Sequence, residues 1–215
     1  MIPAVHLRRL ARFATLVLGP VVLVAACSTA GGTSPEPTTA GTAASAACPA
    51  SQPVALPADE TRTVTIETDK GIIAITIEAD LSPIAAGNFV ALAGCGYYDG
   101  VVFHRVVPGF VIQGGDPTGT GTGGPGYQIQ DEQVTATYGR GTVAMARTAQ
   151  PNSVGSQFFI VLDDAARTSL VAANTYQIIG TVSSGMDAVD AIASAADAEL
   201  PSNPVVMTRV SVSNP

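Results

Sequence analysis

The run Phe103-His104-Arg105-Val106-Val107-Pro108-Gly109-Phe110-Val111-Ile112-Gln113 holds the greatest concentration of chemically capable side chains in this chain. β-Branched residues flank Pro108-Gly109, so the segment reads as two paired strands with Arg105 and Gln113 on one sheet face. A guanidinium beside an aromatic ring and a primary amide makes a pocket for an uncharged, partly apolar group that accepts a hydrogen bond. Taken singly, each residue has a plainer explanation: a strand Phe belongs to a core, and an Arg to a solvated face. Other chemistries find less support. Gly121-Thr122-Gly123-Gly124-Pro125-Gly126 fits a G-x-G-x-x-G pattern, but no helix follows it and Pro125 interrupts it, so it reads as a turn-rich loop. His104 reads as structural, and Asp163, Asp164, Asp187 and Asp190 as loop or helix-face charges.

These residues need a scaffold. Residues 62–68 and 72–78 alternate around Asp69-Lys70-Gly71, which predicts a β-hairpin. Ser82-Pro83 reads as the N-cap and first position of a helix that ends at Gly94 or Gly96. Ile84, Ala85, Asn88, Phe89 and Leu92 give it one inward face. Further strands are expected over 102–106, 110–114, 141–146, 156–162, 176–182 and 205–212, and a second helix over 186–194. About eight strands and two helices make a mainly β domain, and closure into a barrel would remove exposed edges.

The motif order resembles that of the cyclophilins. The resemblance runs from Phe103–Asp116 through Gly121-Thr122-Gly123-Gly124, Gly141-Thr142-Val143-Ala144-Met145-Ala146 and Asn152-Ser153-Val154-Gly155-Ser156-Gln157-Phe158-Phe159-Ile160. It ends in the stretch from Ile179 to Asp190 and spans nearly all of residues 62–212. It implies a closed eight-stranded antiparallel β-barrel capped by two α-helices, and a peptidyl-prolyl cis/trans isomerase that takes proline-containing polypeptides and needs no metal or cofactor. Carried over by motif, Arg105 is the catalytic arginine and Gln113 orients it and the substrate carbonyl. Phe110, Val111, Phe159 and Leu170 line the proline pocket. Ala146, Arg147 and Gln157 flank the preceding residues of the peptide. Leu170 takes the place of a Trp common in the family and Tyr176 that of a His, which implies weaker binding of cyclosporin-like macrocycles. Arg147 stands where an Asn is common.

The N-terminus carries a separate message. Arg8, Arg9 and Arg12 precede an apolar run from Phe13 to Ala26 that is broken by Gly19-Pro20 and too short to span a bilayer comfortably, so residues 1–26 read as a secretory signal. Val24-Ala25-Ala26-Cys27 resembles a bacterial lipobox, which implies lipidation at Cys27 and an anchor on the extracytoplasmic face of the cell membrane. Residues 27–58 read as a flexible Ala/Gly/Thr/Ser/Pro tether, and 59–215 as the folded domain. Loss of residues 1–26 takes the net charge from −7 to about −10, which argues against nucleic acid as a partner. His104 is then the sole histidine, which disfavours a His-rich metal site or a Ser-His-Asp triad. Cys48 and Cys95 remain; outside the cytoplasm they can pair, or they stay two inert thiols. No coiled-coil pattern is present, and a monomer is expected. The competing function is a proline-peptide-binding module or chaperone with little turnover.

Overall fold

The structure, a computed structural model, describes residues 47–173 and 175–214. Its first element is the expected hairpin, β1 (Thr61–Thr68) and β2 (Gly71–Glu78), paired in register around Asp69-Lys70. Strict alternation buries Val64 and Ile66 of β1 and Ile73, Ile75 and Ile77 of β2 on one face. There follow α1 (Pro83–Gly94), β3 (Arg105–Val107), β4 (Val111–Gly114), β5 (Thr142–Met145), β6 (Phe158–Val161), α2 (Arg167–Ala173), β7 (Ile178–Ser184), α3 (Met186–Ala195) and β8 (Arg209–Ser213). The eight strands form one curled antiparallel sheet in the order β3-β4-β6-β5-β7-β2-β1-β8.

Several strands are shorter than the sequence pattern suggests, and among the described residues three α-helices replace the expected two. The unexpected one, α2, buries Leu170 alone, so it lacks the apolar stripe that betrays a helix. The signal for it lay in Asp163, read above as a loop charge. Its carboxylate accepts the Ala165 N–H at 2.8 Å and opens the 3₁₀ turn that leads into α2.

The start of α1 also differs from expectation. Pro83 opens the helix, but the Ser82 hydroxyl donates to the Leu81 carbonyl and caps nothing. Glu132 supplies the cap from a distant loop.

Residues 48–58, read above as the end of a tether, lie on the domain. Cys48 is disulfide-bonded to Cys95, with Cα atoms 5.2 Å apart. Leu56 is buried and donates its N–H to the Pro83 carbonyl at 2.9 Å. A Cβ on Gly87 would sit 2.4 Å from the Val54 carbonyl oxygen, so the helix must be bare there for the strap to pass. Composition hid this because a covalent bond and backbone hydrogen bonds can seat a segment that has little apolar surface.

The sheet carries apolar clusters on both faces. Val143, Met145, Phe158 and Ile160 join the main core under α1 and α3. Their sequence neighbours Ala144, Phe159 and Val161 point the other way, into a second cluster with Val111, Tyr138, Leu170 and Ile178. The period of two divides β5 and β6 between these clusters, and both strands are buried throughout.

Candidate active site

Strand register assembles the site. Arg105 pairs with Gln113, Gln113 with Phe159, and Phe159 with Ala144, a row across β3, β4, β6 and β5. Directly opposed residues share a face, so a cation, an amide, a ring and a small side chain line up on the side away from the main core. Phe159 is 4% exposed, and the Tyr176 ring meets it edge-on at 5.3 Å between centroids. Phe110, Ala146 and Tyr176 are half-buried against the same cluster, and Val111 and Leu170 are buried within it. Tyr138 ties Tyr176 in place: its hydroxyl donates to the Tyr176 carbonyl at 2.8 Å. Burial pushes the Tyr138 phenol up to about 12, so it stays a donor throughout the neutral range.

Beside this apolar floor lies a polar cleft of about 710 Å³, lined among others by Gln113, Gly123, Ala146, Arg147, Ser153 and Gln157. Gln113 Nε2 donates to Gln157 Oε1 at 2.9 Å, and Gln157 Nε2 donates to the carbonyls of Gly121 and Gly123, each at 3.0 Å. The glycine-rich loop is held from beneath by Asp116, which accepts the N–H groups of Thr118, Gly121 and Gly123 and the Thr118 hydroxyl. Burial pushes the Asp116 carboxyl up, and these four bonds outweigh it and hold it at about 2. A Cβ on Gly123 would lie 2.0 Å from Asp116 Oδ1, so the loop can approach its anchor only without a side chain.

The residues singled out by sequence thus come together, with two changes of detail. Gln113 Oε1, the atom that could accept from Arg105, makes no such bond among the described residues, and the Arg105 guanidinium donates through Nε to Glu199 Oε1 at 2.7 Å. Arg147 lines the cleft, but its donors go to Asp131 Oδ2 (2.9 Å) and to the carbonyls of Thr148 (3.1 Å) and Gln150 (2.7 Å), which brace its own loop. Glu199 was not legible beforehand, since it stands 94 residues from Arg105 in a loop. His104 is 5% exposed, neither ring nitrogen has a partner among the described residues, and burial lowers its pKa. That suits a packed, neutral imidazole.

A sequence model of the cyclophilin type peptidyl-prolyl cis-trans isomerase/CLD family matches residues 63–212. The chain belongs to this family. A Brucella abortus protein named as a peptidyl-prolyl cis-trans isomerase is 40% identical over 154 residues, which cover 66% of this chain and 76% of the relative. A bifunctional phosphatase/peptidyl-prolyl cis-trans isomerase of Streptococcus pyogenes is 50% identical over 102 residues, 46% of this chain and 22% of that longer protein. The cyclophilin type isomerase of Cryptosporidium parvum superposes with a TM-score of 0.64 at 32% identity, over 72% of this chain and 99% of the other. That protein has also been crystallised in the presence of the dipeptide Ala-Pro. The cyclophilin fold therefore accounts for the curled sheet and its helices.

Proposed function

We propose that this cyclophilin is an isomerase for X-Pro bonds in proteins that fold after export, held at the extracytoplasmic face of the bacterial membrane by lipid on Cys27. Cys27 and the signal segment lie outside the described residues; the support is the lipobox-like Val24-Ala25-Ala26-Cys27 and the basic, apolar stretch before it. Clients fit this setting because uncatalysed X-Pro isomerisation takes tens to hundreds of seconds and can limit folding. In this reading the barrel closes where Val102 bridges Val206, between the stretches that lead into the sheet's two end strands.

The row Arg105–Gln113–Phe159–Ala144 carries the mechanistic reading. Phe159, with Phe110, Val111, Leu170 and Tyr176 around it, would receive the proline ring. Ala146, Arg147 and Gln157 would flank the residues before it. Resonance gives the peptide C–N bond double-bond character and a rotation barrier of about 18–20 kcal/mol. As the bond twists, the prolyl nitrogen regains its lone pair, and Arg105 would donate to it. That hydrogen bond is stronger in the twisted state than in the planar one, which is what lowers a barrier. Arginine suits the task because it stays charged and carries several donors. A ~10⁵-fold acceleration asks for roughly 7 kcal/mol of differential stabilisation.

The cellular part of this reading is tested with labelled fatty acid in a bacterial host. Label on the wild type but not on Cys27→Ala would support the anchor, and equal label on both would refute it.

A further inference from the structure

Glu199 follows α3 in the segment that leads to β8, and it meets β3 through both side chain and backbone. Its Oε1 accepts from Arg105 Nε at 2.7 Å. Its carbonyl accepts the N–H of Val106, the next residue, at 2.8 Å. The segment is itself stiffened: Asp197 accepts the Ser202 N–H at 3.0 Å and the Ser202 hydroxyl as well. Farther along, Phe103 N–H donates to the Val205 carbonyl at 2.9 Å, and Met207 N–H donates to the Val101 carbonyl at 2.8 Å. The Glu199 backbone is therefore held beside β3 by contacts that do not depend on the ion pair, which keeps its carboxylate within reach of Arg105.

We propose that Glu199 is the positioning residue for Arg105: it anchors the guanidinium through Nε and leaves the two terminal nitrogens to serve the groove. This rests on the reading of Arg105 as the donor to the prolyl nitrogen. A long, flexible arginine samples many rotamers, and displacement of a transition-state donor by about an ångström is enough to lower a rate severely. Gln113 lies opposite Arg105 in register, yet among the described residues the guanidinium's hydrogen-bond acceptor is Glu199, so Glu199 is what orients it. Stability does not explain the pair. The two side chains are 32% and 60% exposed, and solvent-screened ion pairs add little to folding. Its effect belongs in the rate.

The test compares wild type, Glu199→Ala, Glu199→Gln and Arg105→Ala in catalysed cis/trans exchange of an Ala-Pro peptide, with kcat and KM separated and the melting temperature recorded. Glu199→Ala should lower kcat about tenfold, as expected for a misplaced donor, with KM and melting temperature nearly unchanged. Glu199→Gln keeps an oxygen that accepts from Nε and should recover most of that loss. The Arg105 Nε–H resonance should exchange with water faster in Glu199→Ala than in wild type. A wild-type kcat in folded Glu199→Ala, while Arg105→Ala is inactive, overturns the positioning role alone. A loss confined to KM, or one that Glu199→Gln does not relieve, overturns it too. Full activity in Arg105→Ala removes the reading on which the proposal stands. If Glu199→Ala fails to fold, Glu199→Gln decides through the Nε–H exchange rate, which must stay near the wild-type value.

Discussion

Glu132 closes the N-terminus of α1 from 48 residues away: Oε1 accepts the Ile84 N–H at 2.8 Å and Oε2 the Ala85 N–H at 2.9 Å. Two orphan donors of the first turn are met by one carboxylate, which also sits favourably on the helix dipole. The contact joins the loop beside the groove to the helix that covers the core. Glu132→Ala should destabilise the protein by about 1–2 kcal/mol in urea titrations, as loss of a helix cap does. Ser82→Ala, which leaves this cap intact, should cost far less.

The Asp116 carboxyl, held at about 2, makes the glycine-rich loop acid-sensitive. A carboxylate whose pKa is depressed by folding adds stability above its unfolded value of 3.8, and that contribution fades as pH falls through the folded value. Stability should therefore decline between about pH 4 and pH 2. In Asp116→Asn this part of the decline should flatten, with a loss of at least about 2 kcal/mol at neutral pH, because the amide has one acceptor oxygen and its NH2 would face two of the four donors without accepting from them. Chemical denaturation at a series of pH values checks both.

The disulfide should matter for stability and not for turnover. Cys48–Cys95 closes a loop with a sequence separation of 47 and straps residues 48–58 across α1, and neither cysteine lies on the strands that carry the Arg105–Phe159 row. In the chain-entropy view such a loop is worth about 4 kcal/mol. Cys48→Ser with Cys95→Ser should lower the midpoint of unfolding by a corresponding amount and leave kcat within twofold of wild type.

Phe159 should act through binding. Phe159→Leu keeps an apolar floor but removes the edge-on contact with Tyr176, seen at 5.3 Å. An aromatic pair is worth about 0.5–1.5 kcal/mol beyond its area, and a proline ring would lose a similar flat surface. KM for a proline peptide should rise up to about tenfold, with kcat changed less. A steady-state series in peptide concentration separates the two.

How much of this was legible in the sequence depended on the range over which each residue acts. The β1–β2 hairpin could be read because its alternation and turn are local. The Arg105–Gln113 pairing could be read because Pro108-Gly109 fixes the register between adjacent segments. Alternation sends Phe158 and Phe159 to opposite faces, but that both faces are buried could not be read locally, because one is covered by the main core and the other by the cluster of Tyr138, Leu170 and Ile178. Glu132 and Glu199 escaped altogether, since each sits in a loop and acts on an element 48 or 94 residues earlier. The strap over α1 was read as tether because its seating depends on a bond to Cys95 and a bare Gly87, features of another part of the chain.

The most direct test of the central claim is cis/trans exchange of a short Ala-Pro peptide, followed by NMR with a catalytic amount of the protein and then of folded Arg105→Ala. Exchange that is accelerated many-fold by the wild type and falls at least a hundredfold in the mutant is the predicted result. Near-normal acceleration by Arg105→Ala would contradict the assigned mechanism. Peptide binding by the wild type without acceleration would contradict isomerase function and leave a proline-binding module.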